Sequence, residues 1–98
     1  MLNEKSRVKV LFDRKKYIEY EVPDEGVMFY SETDAKTYFL NFMAIYILDS
    51  SDGMMIEDIV LNIKTNFDIE GVTETELYND IYEVCNILLE NNFIEIKN

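Results

Sequence analysis

The sequence contains one stretch of twelve residues without a charge, TYFLNFMAIYIL at positions 37–48. It stands out because 30% of all residues in the chain are charged and the formal net charge is −11. The stretch is too short to cross a membrane, since a spanning helix needs roughly 20 apolar residues. Asn41 divides it, because asparagine is a strong helix N-cap. We therefore expect a strand up to Leu40 that leads directly into an apolar helix from Phe42.

Before Asn41, apolar and polar residues alternate, which is typical of strands. Residues 7–12 and 17–22 each place their apolar side chains on one face, and the charged link at 13–16 predicts that they form a hairpin. Residues 27–30 and 37–40 flank a polar segment and predict a second hairpin. We expect an antiparallel sheet of three or four strands.

After Asn41 the apolar residues follow the period of helices. Residues 42–48 predict a short helix that is apolar on nearly every side. The second helix has a single apolar stripe, formed by Ile56, Ile59, Val60, Ile63 and Phe67. A third helix begins after Thr73, which can cap it, and ends near Asn91 or Asn92. The predicted fold class is α+β and winged-helix-like, with an N-terminal antiparallel sheet followed by three helices, in a single domain spanning residues 1–98.

The third helix carries two apolar rows. The first row contains Leu77, Ile81, Val84 and Leu88, and the second contains Tyr78, Tyr82, Cys85 and Leu89. A helix that packs on one side would not need both rows, so the domain either wraps the helix on two sides or leaves one row as the wall of a groove. Tyrosines suit a groove because each has a large apolar body and a polar tip. Residues 37–40, at a sheet edge, would supply the other wall and unpaired backbone groups that an extended peptide could join as a strand.

The composition argues against an enzyme and against a metal site. The chain has no histidine, which is the commonest general base and metal ligand, and Cys85 is its only cysteine. Cys85 lies in the middle of a predicted helix without a nearby cation, so we interpret it as a small buried or groove-lining apolar residue. We expect no catalytic residues, no metal and no cofactor. The N-terminus lacks the apolar segment of a signal peptide, and we expect a cytoplasmic protein without a membrane partner.

The charge distribution bears on nucleic-acid binding. Residues 1–16 have a net charge of +4, whereas the remainder has a net charge of −15. A winged-helix DNA-binding protein would place basic residues on its recognition helix. The second predicted helix has only Lys64 and the third has no cation, so we expect no nucleic-acid partner. A subunit that holds a folded partner protein on the same apolar surface remains an alternative, and a DNA-binding regulator that uses the basic N-terminal segment is a less favoured one.

Three segments of the chain, taken in their order and spacing, resemble the PqqD-like family. They are GVMFYSETDAKTYFLN, AIYILDSSDGMMIEDIV and VCNILLENNFIEI, and they cover roughly residues 26–96. The family comprises recognition elements for ribosomally synthesised and post-translationally modified peptides, and is named after pyrroloquinoline quinone biosynthesis protein D. Its stand-alone members include leader-binding proteins of lasso peptide pathways. The matching features are Leu40-Asn41, Asp52-Gly53, Glu57-Asp58-Ile59-Val60 and Leu88-Leu89-Glu90-Asn91-Asn92-Phe93-Ile94. The chain departs from the pattern at Met55, where a threonine cap is common, and at Asn92, where glycine is common.

The resemblance implies a non-catalytic protein that binds the leader segment of a precursor peptide by strand addition. Such a protein presents the leader to a modifying enzyme, for example a radical SAM enzyme, or to a leader peptidase. The implied peptide-binding residues are Lys36, Thr37, Tyr38, Phe39 and Leu40 on the strand, and Leu77, Tyr78, Ile81, Tyr82, Cys85 and Leu89 on the last helix. The sequence leaves open whether the exposed strand also pairs with a second copy of the chain to form a homodimer.

Overall fold

The computed structural model describes residues 2–98. In this part of the chain four strands precede three helices, and a fifth strand follows them. In chain order the elements are β1 (Arg7–Val10), β2 (Ile18–Val22), β3 (Gly26–Ser31), β4 (Lys36–Asn41), α1 (Phe42–Ser50), α2 (Ile56–Asn66), α3 (Glu74–Glu90) and β5 (Ile94–Lys97). The predicted α+β class is confirmed, with N-terminal antiparallel strands followed by three helices in a winged-helix-like order.

The strands form two antiparallel sheets, with three strands in the order β2-β3-β4 and two strands in the order β1-β5. The predicted hairpin of β3 and β4 is confirmed, with Phe29 opposite Tyr38. The predicted hairpin of β1 and β2 is wrong, because β1 pairs with the C-terminal strand and places Val8 opposite Ile96. Residues 14–16 form a single 3₁₀ turn, capped by the Asp13 side chain, that separates β1 from β2.

Asn41 ends β4 and begins α1, as the sequence predicts. Its side-chain oxygen accepts a hydrogen bond from the Ala44 backbone N–H at 2.9 Å, which satisfies one of the unpaired donors at the start of the helix. No loop separates the strand from the helix, so the side chain that follows Asn41 already belongs to α1. The last residue of β4 is therefore fixed relative to the first turn of α1.

The remaining two helices have caps of different kinds. Thr73 accepts a hydrogen bond from the Glu76 backbone N–H at 3.1 Å and fixes the start of α3, whereas Met55 precedes α2 without a side-chain cap. After α3, Asn92 adopts the left-handed conformation with φ of +60°, which ends the helix and turns the chain into β5. These bounds agree with the predicted helices.

The buried apolar residues form one cluster that joins the two sheets to the three helices. Val8, Phe29 and Leu40 reach it from the strands, and the first apolar row of α3 reaches it from the helical side. At one end of the cluster five aromatic rings are in mutual contact, namely those of Phe12, Tyr17, Phe29, Tyr38 and Phe93. Within residues 2–98, none of the helices is both long and apolar enough to cross a membrane.

Candidate functional site

Strand β4 lies at an edge of the three-stranded sheet. Among the described residues it pairs with β3 only, so the backbone groups on its other side have no partner strand. An edge of this kind can accept an extended peptide as a further strand. The sequence alone could not establish that residues 36–40 lie at a sheet edge. The structure places them there.

The side chains of β4 alternate between the two faces of the sheet. Leu40 is buried in the core, and Tyr38 on the same face is half-buried against the ring of Phe93. Phe39 points to the opposite face and is 47% exposed, while Lys36 and Thr37 are exposed at the start of the strand. A peptide strand beside β4 would therefore meet Phe39 on one face of the sheet, and at the Asn41 end of the strand it would reach a depression that α3 also lines.

A depression lies between the end of β4 and the helix α3. It has a volume of about 250 Å³ and is lined by Asn41, Met43, Asp80, Glu83, Val84 and Ile87. We call this depression the β4–α3 groove. Ile87 is 46% exposed and offers an apolar side chain to a ligand in the groove. The groove thus combines an apolar floor with two carboxylates.

The second apolar row that was predicted for the helical wall does not line this groove. Tyr78 precedes Asp80 by two residues and Tyr82 precedes Ile87 by five, and at 3.6 residues per turn each pair is separated by roughly 140–160° around the helix. The structure thus places Tyr78, Tyr82 and Leu89 on the other flank of α3, where they are half-buried. Leu77, Ile81 and Cys85 are fully buried in the core and present no side chain to a ligand.

The flank with Tyr78 and Tyr82 faces α2 and the N-terminal segment. Their rings are in contact, with centroids 5.9 Å apart, and Tyr78 borders a separate depression next to Glu57 on α2. Burial raises the pKa of both tyrosines, and the negative charge of Glu4 raises it further. The predicted binding residues of β4 and those of α3 therefore do not line one common groove. They are connected only through the buried core.

Sequence reasoning missed Met43, Asp80, Glu83 and Ile87 as groove residues and placed Val84 only in the core. The side of α3 that lines the groove could have been identified from Ile87, which is a large apolar residue that belongs to neither apolar row. It follows Val84 by three residues, so the two lie on the same side of α3.

Cys85 has the properties of a core residue. Its side chain is fully buried, and burial raises the pKa of its thiol to about 11 from an ordinary value of 9.0. The thiol is therefore protonated near neutral pH, and the thiolate is the reactive form of cysteine. This agrees with the interpretation of Cys85 as a small apolar residue.

The electrostatics of the helices are acidic. Lys64, the only cation of α2, forms an ion pair with Glu74 of α3, with a nitrogen–oxygen distance of 3.0 Å. Asp80 and Glu83 form no ion pair with a described residue. The groove therefore has a negative potential that a cationic ligand would neutralise.

The outer face of the three-stranded sheet is a second exposed apolar surface. The pairing register places Tyr20, Met28 and Phe39 in one row across the strands and Ile18, Tyr30 and Thr37 in the next. No charged residue of β2, β3 or β4 points to this face, because the alternation turns Glu19, Glu21 and Lys36 the other way. Tyr20, on the edge strand β2, is 60% exposed.

Within residues 2–98, histidine, cysteine, aspartate and glutamate side chains form no group of three that could hold a metal ion. Comparisons of the chain with protein-family models, with curated protein sequences and with solved structures found no match.

Proposed function

We propose that this protein binds the leader segment of a ribosomally made precursor peptide as an additional strand along β4. The observation that carries the proposal is the position of the unpaired β4 edge next to a groove with an exposed isoleucine, Ile87. Backbone hydrogen bonds to the edge would supply affinity for an extended chain, and alternate side chains in the groove would supply specificity. The resemblance of the sequence to the PqqD-like family supports the choice of a leader as the ligand.

The role would be to present the peptide and not to transform it. A bound leader holds the rest of the precursor near a modifying enzyme, such as a radical SAM enzyme, or near a leader peptidase. The second encounter then becomes intramolecular, with an effective concentration set by the length of the connecting segment. A modest affinity for the leader is sufficient for this effect. The buried, protonated state of Cys85 is consistent with a role that needs no chemistry from this chain.

The charges of the groove define the chemistry of the leader more closely. Asp80 and Glu83 lie beside the apolar surface of Val84 and Ile87. A matching ligand has an aliphatic or aromatic anchor side chain with lysine or arginine close to it. Opposite charges accelerate encounter more than they increase affinity, so the association rate should fall as salt is added. A leader whose association rate is the same at low and high salt would contradict this part of the proposal.

The test uses a fluorescently labelled synthetic peptide, the N-terminal segment encoded by a short open reading frame beside the gene of this protein, with binding measured by anisotropy. Ile87→Ser should raise the Kd by about one order of magnitude, because it removes an apolar contact. Burying an aliphatic side chain contributes about 1.5–3 kcal/mol. Leu61→Ser is the matched control, since Leu61 is 60% exposed on α2 and lies outside the groove. A leader that binds all three proteins equally would exclude the groove, and no binding at millimolar peptide would reject that leader as the ligand.

A second candidate function is a docking subunit for a folded protein, and the outer face of the sheet favours it. This face is uncharged and carries the exposed side chains of Ile18, Tyr20 and Phe39, which suits a protein surface better than an extended peptide. Sedimentation velocity of the protein mixed with the modifying enzyme of the same gene cluster separates the candidates. Tyr20→Lys should abolish a complex that uses the outer face, whereas Ile87→Ser should leave that complex intact.

The β4 edge that would receive a leader would equally pair with a second copy of the chain. A homodimer of this kind would compete with the peptide for the same backbone groups. Sedimentation equilibrium with and without leader tests this, because saturating peptide should convert such dimers into monomers. Dimers that persist with peptide bound would use another surface.

A further inference from the structure

A second apolar cavity lies between α1 and the end of α2. It has a volume of about 230 Å³ and is lined by Phe42, Met43, Tyr46, Ile63, Phe67 and Ile69. Phe42 and Phe67 form its rim and are each about half exposed. The ring of Tyr46 packs edge-on against that of Phe67 at 5.0 Å and fixes one wall. The cavity is therefore lined by apolar and aromatic side chains and is open to solvent.

The size and lining of the cavity limit what can occupy it. Pockets for small-molecule ligands usually measure about 300–1,000 Å³ and contain a few well-placed polar groups. This cavity is smaller, and no charged residue lines it. It fits one large aliphatic or aromatic side chain better than a separate ligand.

The cavity lies next to the β4–α3 groove, and the two share one lining residue. Met43 lines both, with Asn41 on the groove side and Phe42 on the cavity side. Asn41 is the last residue of β4 and Phe42 is the first of α1, so the cavity begins where the β4 edge ends. A chain that runs along the β4 edge towards Asn41 reaches the cavity if it continues over the first turn of α1.

The direction of the added strand determines which end of the peptide arrives there. Every strand pair in the described part of the chain is antiparallel, and antiparallel pairs are slightly more stable than parallel ones. A peptide antiparallel to β4 has its N-terminal side at Asn41 and its C-terminal side at Lys36. The first turn of α1 is about 5 Å long, which an extended chain spans in about two residues.

Building on the leader-binding function proposed above, we infer that the cavity between α1 and α2 receives a large apolar side chain from the N-terminal continuation of the same bound peptide. The ligand then has two anchors, one against Ile87 in the groove and one between Phe42 and Phe67. Two carboxylates lie next to the cavity in the sequence, since Asp68 follows Phe67 and Glu70 follows Ile69. The groove likewise has two, Asp80 and Glu83. A cationic peptide with two apolar anchors matches the charge of both places.

The test combines two peptides with matched variants of the protein. The peptides are the labelled synthetic leader and a shortened form that begins at the segment paired with β4, as defined by NMR. Phe67→Ser should raise the Kd of the full leader about tenfold and leave the Kd of the shortened form unchanged. Leu61→Ser, on the exposed face of α2 and outside the cavity, should change neither Kd. Phe42→Ser provides a second variant of the rim, and circular dichroism shows whether each variant remains folded.

The outcomes distinguish this inference from the proposed function. If the full leader binds Phe67→Ser and Phe42→Ser as tightly as the wild-type protein, the cavity is not a second anchor site. If both variants weaken the binding of the two peptides equally, the substitutions act by disturbing the fold. The inference is then wrong, while leader binding stands. If neither peptide binds the wild-type protein, the proposed function fails, and this inference fails with it.

Discussion

The ring of Tyr38 packs edge-on against the ring of Phe93, with the two centroids 4.9 Å apart. Tyr38 lies in the middle of the candidate binding strand, and Phe93 follows the last turn of α3. This contact links the strand to the end of the helix that forms the opposite wall of the groove. The position of the candidate binding strand therefore depends on an aromatic contact with the residue that follows α3.

Phe93→Ala should destabilise the protein by about 3–5 kcal/mol, because Phe93 is buried and its removal leaves a cavity among the rings of Phe12, Tyr17 and Tyr38. Urea unfolding followed by circular dichroism measures the loss. Phe67→Ala is the control, since its ring is 48% exposed and its loss should cost much less. Equal losses for the two variants would mean that the aromatic cluster does not anchor β4.

Gly26→Ala should weaken the pairing of β3 with β4. A Cβ atom at Gly26 would collide with the Leu40 carbonyl oxygen and would lie 2.9 Å from the Cα of Asn41, so the two strands would have to separate. Because backbone cannot move aside as a side chain can, we expect a loss of at least about 1–3 kcal/mol in urea unfolding. Gly71→Ala is the comparison, since no atom lies within 4 Å of a Cβ there and only its positive φ of +84° opposes alanine. A smaller loss for Gly26→Ala than for Gly71→Ala would contradict the close approach.

The stability of the protein should depend on pH through Cys85. The pKa of its thiol is about 11 in the folded protein, compared with an ordinary value of 9.0. A group with a raised pKa stabilises the folded state below its unfolded pKa, and this contribution is lost as the pH rises through the folded pKa. We expect a loss of at most about 3 kcal/mol between pH 9 and pH 11, from 1.36 kcal/mol per pKa unit.

Cys85→Ala isolates this contribution. Burial also raises the pKa of Tyr17, Tyr78 and Tyr82, but these tyrosines are present in both proteins. Urea unfolding at several pH values should therefore give a steeper decline for the wild-type protein than for Cys85→Ala. Parallel curves would show that the thiol is not held protonated by burial.

The sequence predicted those features of the fold that depend on neighbouring residues. Asn41 predicts the change from strand to helix because its side chain can cap the helix that begins at the next residue. The structure contains the capping hydrogen bond, from the Ala44 backbone N–H to the Asn41 side chain. The single apolar stripe of α2 predicts its buried face correctly, since Ile56, Ile59, Val60 and Ile63 are all buried. Phe67, the last residue of that stripe, is an exception because it lies beyond the helix and forms the rim of a cavity.

The pairing of β1 could not be predicted in the same way. Alternation predicted a strand at residues 7–12, of which Arg7–Val10 form β1, but it does not identify the partner strand. A short charged link suggested β2, whereas the partner is β5 at the other end of the chain. The apolar faces of β1 and β5 meet over the core, and this long-range packing is not encoded in either segment alone.

Only one of the two predicted walls of the candidate site could be located from the sequence. The edge strand was identified from its apolar residues and from the turn before it, and the structure places it at the sheet edge. The flank of α3 that faces the strand was not identified, because two apolar rows were visible and both are used for packing. Only the positions of α1 and β4 in space show that Val84 and Ile87 lie on the groove side.

The most direct test of leader binding is a two-dimensional amide NMR titration of the labelled protein with the synthetic leader peptide. Strand addition to β4 predicts progressive shifts at residues 36–41 and around Asp80, Glu83, Val84 and Ile87, with little change near Tyr78 and Tyr82 on the other flank of α3. Shifts centred on Tyr78 and Tyr82, with residues 36–41 unchanged, would contradict the account.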